Sequence, residues 1–326
     1  MTTPEQESRV PASPPSRQTV VHVVINPLSG GGHGLRIRER LEQGVANGRA
    51  ACTISVTGGP RHAVRIAEAA ASGGADVVVA VGGDGTVHEV ANGILRARAA
   101  DPTLPVALAV VPTGTGNDFA KLLGVHGSID TAIAAICAGS DRRFDVGRAA
   151  WDGGSCCFVN AMGTGIDVEV VRQITRGRPL PGALNYVAGL MRALVRYRPM
   201  PLEVTAETAS FAGKVMTIAV ANGRCVGGTF HICPDAQPDD GLFDICVIRA
   251  LPLMGSLAMA LRIARGRHTR HAAVKMFRAA TVDIEVPAGV PFFFQLDGEL
   301  HEPPAARSIR LTVLPSALPV RVAPSA

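Results

Sequence analysis

Four glycine-rich turns follow apolar runs in this chain and carry the side chains best suited to chemistry. They are Asn26-Pro27-Leu28-Ser29-Gly30-Gly31, Gly82-Gly83-Asp84-Gly85-Thr86, Pro112-Thr113-Gly114-Thr115-Gly116-Asn117-Asp118 and Asn222-Gly223. Backbone N–H groups unobstructed by side chains can approach a phosphate, and a helix starting at the turn adds partial positive charge. One such turn needs glycine for steric reasons alone. Several, each with a hydroxyl, amide or carboxylate attached, make a constellation that fits a nucleotide. The first turn lacks the GxxxxGK[ST] pattern, and the chain has no clean GxGxxG fingerprint. A phosphate cradle without a P-loop lysine leaves much of the triphosphate charge to a metal ion.

The elements that must hold these turns follow from periodicity. Thr19 to Ile25, Thr53 to Thr57, Asp76 to Val81 and Val106 to Val111 read as strands; Leu35 to Val45, Pro60 to Ala71 and Val87 to Arg98 read as helices. The alternation is that of βαβ units around a parallel sheet, in which ligands sit at the carboxyl ends of strands. Beyond about Asp145 the texture changes. Ser155 to Ala161, Lys214 to Asn222, Leu242 to Arg249, Thr281 to Val286, Phe292 to Leu296 and Ser308 to Leu314 are strand-like and bounded by turns, with helices expected only at Gly182 to Tyr197 and Leu253 to Gly266. The expected architecture is α/β with two domains: a Rossmann-like nucleotide-binding domain over residues 19–146 with a C-terminal return at 303–326, and a mainly antiparallel β-sandwich with inserted helices over 147–302. Residues 1–18, with four prolines and no apolar stretch, read as a disordered tail and no signal peptide.

Composition limits the function classes. With 326 residues, 47 % of them hydrophobic and 18 % charged, the chain can bury a large core, which excludes general disorder, a collagen and a coiled coil. No apolar run approaches the ~18 to 20 residues that span a bilayer. The seven cysteines lack paired CxxC spacing and read as free thiols of a reducing compartment. Val170 to Leu202 and Ile245 to Val282 together hold thirteen Lys and Arg and no acid, on a chain whose net charge is only +5. Such asymmetry wants an anionic partner. In the second segment an apolar stretch, Leu253 to Ile263, runs into Arg262, Arg265, Arg267, His268, Arg270 and His271, a pattern that can lie on anionic lipid. A nucleic-acid footprint is disfavoured, because both segments are short of aromatics for base stacking.

Gly82-Gly83-Asp84-Gly85-Thr86, followed by Glu89 and Asn92-Gly93, resembles the nucleotide-binding signature of the diacylglycerol kinase catalytic domain family, which includes sphingosine and ceramide kinases and bacterial soluble lipid kinases. Six further segments match in family order: Asn26-Pro27 with Ser29-Gly30; Pro112 with Gly114-Thr115 and Asn117 to Ala120; Asp145-Val146-Gly147; Phe158 and Asn160 with Gly163 and Gly165; Asp239 to Asp244; and Leu296-Asp297-Gly298-Glu299. The resemblance spans residue 20 almost to the end. It implies that ATP is held by Asn26, Thr57, Gly82, Gly83, Asp84, Gly85, Thr86, Val87, His88 and Thr115. It implies Glu299 as the general base, Asp84 as the carboxylate approaching the nucleotide's Mg²⁺, and Asp118 and Asp145 as carboxylates networked with it. A second, structural Mg²⁺ is implied at the Asp239-Asp240-Gly241 turn, through the Asp240 carboxylate and the carbonyls of Gln237 and Leu242.

Elementary chemistry is consistent with these roles. Phosphoryl transfer is mostly positioning and charge neutralisation, and Mg²⁺ favours carboxylates, phosphate oxygens and water. A lipid hydroxyl is a poor nucleophile, so a carboxylate within hydrogen-bond reach helps by ~10²- to 10⁴-fold. The turn at Leu296 to Glu299 can present one, with Asp297 as the alternative to Glu299. His88 and His301 read mainly as packing or rim residues, His22 as a satisfied core histidine, and Trp151 as structural. The expected activity is an ATP-dependent lipid kinase acting on a lipid hydroxyl, diacylglycerol first. The alternatives are an NAD kinase, which shares a Gly-Gly-Asp-Gly-Thr turn, and a nucleotide-binding regulator without turnover. The expected partners are Mg²⁺, ATP, a lipid and an anionic membrane surface, in a cytoplasmic protein peripheral to the inner face of the membrane, with no nucleic acid and with a homodimer left open.

Overall fold

The first half of the chain alternates strand and helix as its periodicity requires. The computed structural model describes residues 17–125, 128–176 and 183–323. The expected tail lies almost wholly outside the described residues, as does Gly182 at the start of one expected helix. The elements run β1 (Val20–Ile25), α1 (His33–Arg36), α2 (Arg38–Asn47), β2 (Ala51–Val56), α3 (His62–Ser72), β3 (Val77–Gly82), α4 (Asp84–Ala100), β4 (Ala107–Pro112), α5 (Asp118–Leu122) and α6 (Ile129–Ala138). The second half contains β5 (Ser140–Trp151), β6 (Gly154–Phe158), β7 (Ala161–Gly165), α7 (Ile166–Arg176), α8 (Ala183–Arg196), β8 (Met200–Ala206), β9 (Ser210–Ala221), β10 (Phe243–Arg249) and α9 (Leu253–Ala264). It closes with β11 (Val274–Ala279), β12 (Thr281–Glu285), β13 (Phe294–Leu296), β14 (Glu299–His301) and β15 (Ser308–Val322).

β2, β1, β3 and β4 pair in parallel in that order. Every residue of β3 is buried, as a strand covered by helices on both faces must be, and its sequence VVVAVG is accordingly apolar throughout. The helices on the two faces close one core around Val79, Val90, Ile94, Leu108 and Phe119. The glycine turns after β1, β3 and β4 all fall at the carboxyl edge of this sheet, where the next helix begins.

The second domain is antiparallel: β7 pairs with β9 and β13, β9 also with β8 and β10, and β12 with β8 and β15. One face packs the phenylalanines Phe158, Phe243, Phe292 and Phe294. The other is covered by α7, α8 and α9 through Val170, Ala193, Met259 and Ile263. Two long strands join the domains. β5 and β15 pair along nearly their whole lengths, and the far end of β15 lies parallel to β4 at Val320 and Leu108. The expected C-terminal return is therefore one strand extending well past Leu314, and Leu318 and Val320 sit in the first domain's core.

Three expectations are corrected in detail. The single helix expected over Leu35 to Val45 is divided at Ile37, which ends α1 and caps the start of α2 with φ −93° and ψ 0°. The run Ser155 to Ala161 is two strands parted at Val159 and Asn160. The helices α6 and α7 stand where the sequence reading expected none. All seven cysteines are free, as expected. His22 is half-buried with Nε2 2.9 Å from Ser55 Oγ, and Trp151 ends β5 edge-on to Phe294 and His301.

Candidate active site

The turn after β3 comes closest to the other loops. A Cβ on Gly114 would lie 2.4 Å from Gly83 Cα, so these two turns touch backbone to backbone only because neither carries a side chain. Local hydrogen bonds hold the shapes. Asn26 accepts from the Leu28 amide at 3.0 Å and donates to Thr86 Oγ1 at 3.1 Å, tying the first turn to α4. Asn117 accepts from Gly114 N–H and donates to Gly114 O, closing the third turn with its own backbone at φ +52°. Glu89 accepts the Arg61 and Ala63 amides at 2.7 and 3.0 Å, anchoring the start of α3 beside the cleft.

Between these turns lies a cleft of about 570 Å³ lined by Asn26, Thr57, Gly83, Gly85, Thr86 and Glu299, among others. A second cavity of about 350 Å³ is lined by Asp84, Gly85, Thr115, Gly116, Asp118 and Glu299, with further residues of the second domain. Gly85 and Glu299 belong to both walls. The Glu299 carboxylate rests against Gly85, its Oε1 2.5 Å from where a Cβ would project. From the second cavity an apolar one continues through Asp167, Val226 and Gln295, lined by Met162, Leu190, Leu194, Met216, Phe230 and Ile263.

The carboxylates divide sharply by surroundings. Asp84 has its pKa raised to about 6, first by burial and then by the charge of Asp118, although the Phe119 amide donates to its Oδ1 at 3.2 Å. Burial likewise pushes Asp118 up, against the Gly228 amide, which donates to both its oxygens, and Lys121 at 3.7 Å. The two carboxylates converge beside Gly116, whose added Cβ would sit 2.8 Å from Asp84 Oδ2 and 3.6 Å from Asp118 Oδ2. Two oxygen-donor groups held together against their mutual repulsion suit a hard divalent cation. Glu299 is exposed at its turn, yet the cavity walls around it raise its pKa; His88 opposes this, while Glu89 and Asp297 add to it.

Several expected site residues lie elsewhere. Gly82, Val87 and His88 are buried and line neither cavity. Asp145 is engaged by the second domain and β15: its carboxylate accepts the Gly241 amide at 2.6 Å and the Ser316 amide at 2.7 Å, while its carbonyl accepts from Asn222 at 2.7 Å. It clamps a turn and the β15 strand to the domain crossing. At the Asp239-Asp240-Gly241 turn, Asp240 accepts from the Leu242 amide at 3.1 Å and pairs with Arg278, which also reaches Asp244 at 3.4 Å. The Asp240 carboxylate, which the resemblance pairs with the carbonyls of Gln237 and Leu242, therefore already has a guanidinium against it. Asp297, the alternative base, accepts the amides of Val159, Asn160 and Ala161 at 2.9, 2.8 and 3.1 Å and pairs with His88. Its lone pairs are spent.

Comparison with known proteins matches both halves of this geometry. The diacylglycerol kinase catalytic domain matches residues 20–149, and the YegS C-terminal NAD kinase beta sandwich-like domain matches residues 160–322. The chain belongs to the diacylglycerol kinase catalytic domain family. Curated relatives of this family member include "Probable lipid kinase YegS-like" of Enterobacter sp. (strain 638), 28 % identical over 93 % of this chain and 95 % of that one. "Probable lipid kinase YegS" of Escherichia coli O127:H6 is 29 % identical over 83 % and 86 %. A crystal structure of a diacylglycerol kinase from Bacillus anthracis str. Sterne shares the fold, with a TM-score of 0.70 at 20 % identity over 94 % of this chain and 97 % of that one.

Proposed function

We propose that this protein is an ATP-dependent lipid kinase that transfers the γ-phosphoryl group to a lipid hydroxyl, with diacylglycerol as the first acceptor to test. The observation that carries this reading is the wall shared by the two cavities. Gly85 and Glu299 bound both the polar cleft of the glycine turns and the cavity that leads into apolar surroundings. A nucleotide in the first and a hydroxyl in the second would meet at Glu299. There the carboxylate can accept the hydroxyl proton while backbone amides of the turns hold the phosphates.

Asp84 and Asp118 are the residues that would hold Mg²⁺ beside the nucleotide, and when bound the ion supplies positive charge to the phosphate oxygens. The chain's own residues do the rest. Asn26 and Thr86 fix the first turn against α4, and the apolar walls exclude water from the acceptor. An NAD kinase needs a polar second pocket for a soluble dinucleotide, whereas Met162, Leu194, Met216 and Phe230 line an apolar one.

The reading extends to a peripheral place at an anionic membrane surface. Among the described residues no helix is long and apolar enough to cross a bilayer. α8 and α9 border the apolar cavity with one side and expose large apolar side chains on the other: Val195 is 64 % exposed, Met254 74 % and Leu261 59 %. Arg192, Arg196 and Arg198 at the end of α8, and Arg262, Arg265, Arg267 and Arg270 around the end of α9, are all exposed. Not every cation of the two acid-free segments is free for lipid. Arg278 and Arg172 are paired with acids, and His268 is fully buried with its pKa lowered by that burial.

Purified protein with Mg²⁺, labelled ATP and a panel of lipid acceptors tests the assignment. A labelled phospholipid from diacylglycerol is expected; labelled NADP⁺ from NAD⁺, with no labelled lipid, would overturn it.

A further inference from the structure

His88 lies one helical turn after Asp84 on α4 and is 6 % exposed. Its Nδ1 is 2.8 Å from Oδ2 of Asp297, a residue 209 positions away. On the other side of the ring, Nε2 faces Cys156 Sγ at 3.6 Å. Asn92 is also near, but its amide hydrogens are committed to the carbonyls of His88 and Cys157, both at 2.9 Å. Asp297 occupies the tight turn between β13 and β14 with φ +52°, a conformation costly for a residue with a Cβ. Its carboxylate holds three successive amides at the β6–β7 break. Glu299 follows two residues later. The His88–Asp297 contact thus joins the helix whose first turn carries Asp84 and Gly85 to the hairpin that carries Glu299.

We propose that His88 is a positioning residue for phosphoryl transfer: as the buried cationic partner of Asp297, it fixes the Glu299 hairpin against the first turn of α4. This rests on the reading of Glu299 as the base. Burial works against a charge on the imidazole, but the hydrogen bonds to Asp297 and Cys156 and the charge of Asp297 outweigh it, raising the pKa to about 10. The groups facing this cation are Asp297 from the hairpin, Cys156 from β6, and Glu299 and His301 from β14. The charge draws Glu299 back toward the ordinary carboxylate range, against the burial that raises it. It also helps burial lower His301 to about 4. The Asp297 charge, already held by three backbone amides, gains a cation beside it in the same buried turn.

The test has two arms. In the first, ¹⁵N-histidine NMR of the unmodified protein, with His88 assigned through its backbone resonances, reads the ring without any substrate. Both ring nitrogens are expected to stay protonated from pH 6 to about 9. A neutral ring at pH 7 overturns the proposal. In the second, His88→Gln and His88→Asn are assayed on the accepted lipid. Turnover is expected to fall about tenfold or more with the KM for ATP changed less than about threefold, and the acid limb of the kcat profile should move to higher pH. Full turnover with an unmoved limb, or a raised KM for ATP at unchanged kcat, overturns the proposal. If unmodified protein phosphorylates no lipid, the kinase reading fails by itself, and the NMR arm alone decides whether His88 is the cation.

Discussion

Asp297 and Glu299 are separated by a single glycine, and their carboxylates face opposite tasks. Asp297 points inward, where three backbone amides and His88 consume its lone pairs. Glu299 stands in the wall of two cavities with its Oε1 against Gly85. A carboxylate already accepting four hydrogen bonds is a poor proton acceptor, because each bond stabilises its ionised form. The turn therefore spends one acid on holding the other in place.

Glu299→Gln preserves shape and removes proton affinity. Turnover should fall by about 10² or more while ATP affinity stays nearly constant, since the nucleotide cleft is built mostly from the first domain. Steady-state rates with ATP binding measured alongside check this. A variant that keeps most of its rate would remove Glu299 from the chemistry.

The pH profile of the unmodified enzyme should carry the mark of that residue. Burial raises the Glu299 pKa, so the carboxyl protonates at higher pH than an ordinary glutamate. The base works only when ionised, and turnover should decline as pH falls through this raised value. Measured kcat between pH 5 and 8 in Glu299 and Glu299→Gln proteins checks it. The acid limb should be absent from the residual rate of the variant.

The glycine turns were legible in the sequence because turn chemistry is local: the residue types at Gly82 to Thr86 dictate the turn whatever surrounds it. The parallel βαβ layout was legible through period, and the crossing at Asp145 to Gly147 and the Glu299 turn through the family resemblance. Contacts made across the fold were not. Asp145 reads as one more acid near a glycine, and only the fold brings Gly241 and Ser316 onto it. His88 meets Asp297 over a separation that no periodicity encodes. The strand-like run of the sequence stops at Leu314, and Pro315 and Pro319 beyond it are residues that ordinarily interrupt a ladder. The strand continues through a register shift between Leu314 and Leu318 that absorbs the interruption. At the Asp240 turn, only the fold reveals that Arg278, brought opposite Asp244 by the β10–β11 register, pairs with the carboxylate.

Asp145→Ala tests the structural reading of a residue that resembled a catalytic one. Two part-buried amides, of Gly241 and Ser316, would lose their acceptor. Water can reach them in part, so each loss costs toward the lower end of the buried-group penalty, and destabilisation of about 1–3 kcal/mol in all is expected. Denaturant melts should show it, whereas Asp84→Asn should leave stability unchanged or raised, because it removes a crowded buried charge. Kinetics should reverse the order. Asp84→Asn should lose turnover and need more Mg²⁺, and folded Asp145→Ala should retain the Mg²⁺ requirement of the unmodified protein.

The proposed membrane docking would set the exposed faces of α8 and α9, and not the nucleotide cleft, against lipid. Replacing Arg262, Arg265, Arg267 and Arg270 together with Gln removes four exposed cations. At about 1 kcal/mol each near an anionic surface, affinity for phosphatidylserine-containing vesicles should fall by about a hundredfold or more. Unmodified protein should itself release from such vesicles as salt is raised, since surface charges are screened within about 10 Å at 0.1 M. Met254→Ser with Leu261→Ser should act differently. It removes apolar area that is 74 % and 59 % exposed, and should weaken binding to neutral and anionic vesicles alike without changing the salt dependence. Neither set touches the cleft, so rates on detergent-dispersed lipid should change little. Vesicle sedimentation across a salt series, with the dispersed-lipid assay in parallel, measures both. Equal binding of the unmodified protein to neutral and anionic vesicles would show that the arginines around α9 serve something other than lipid.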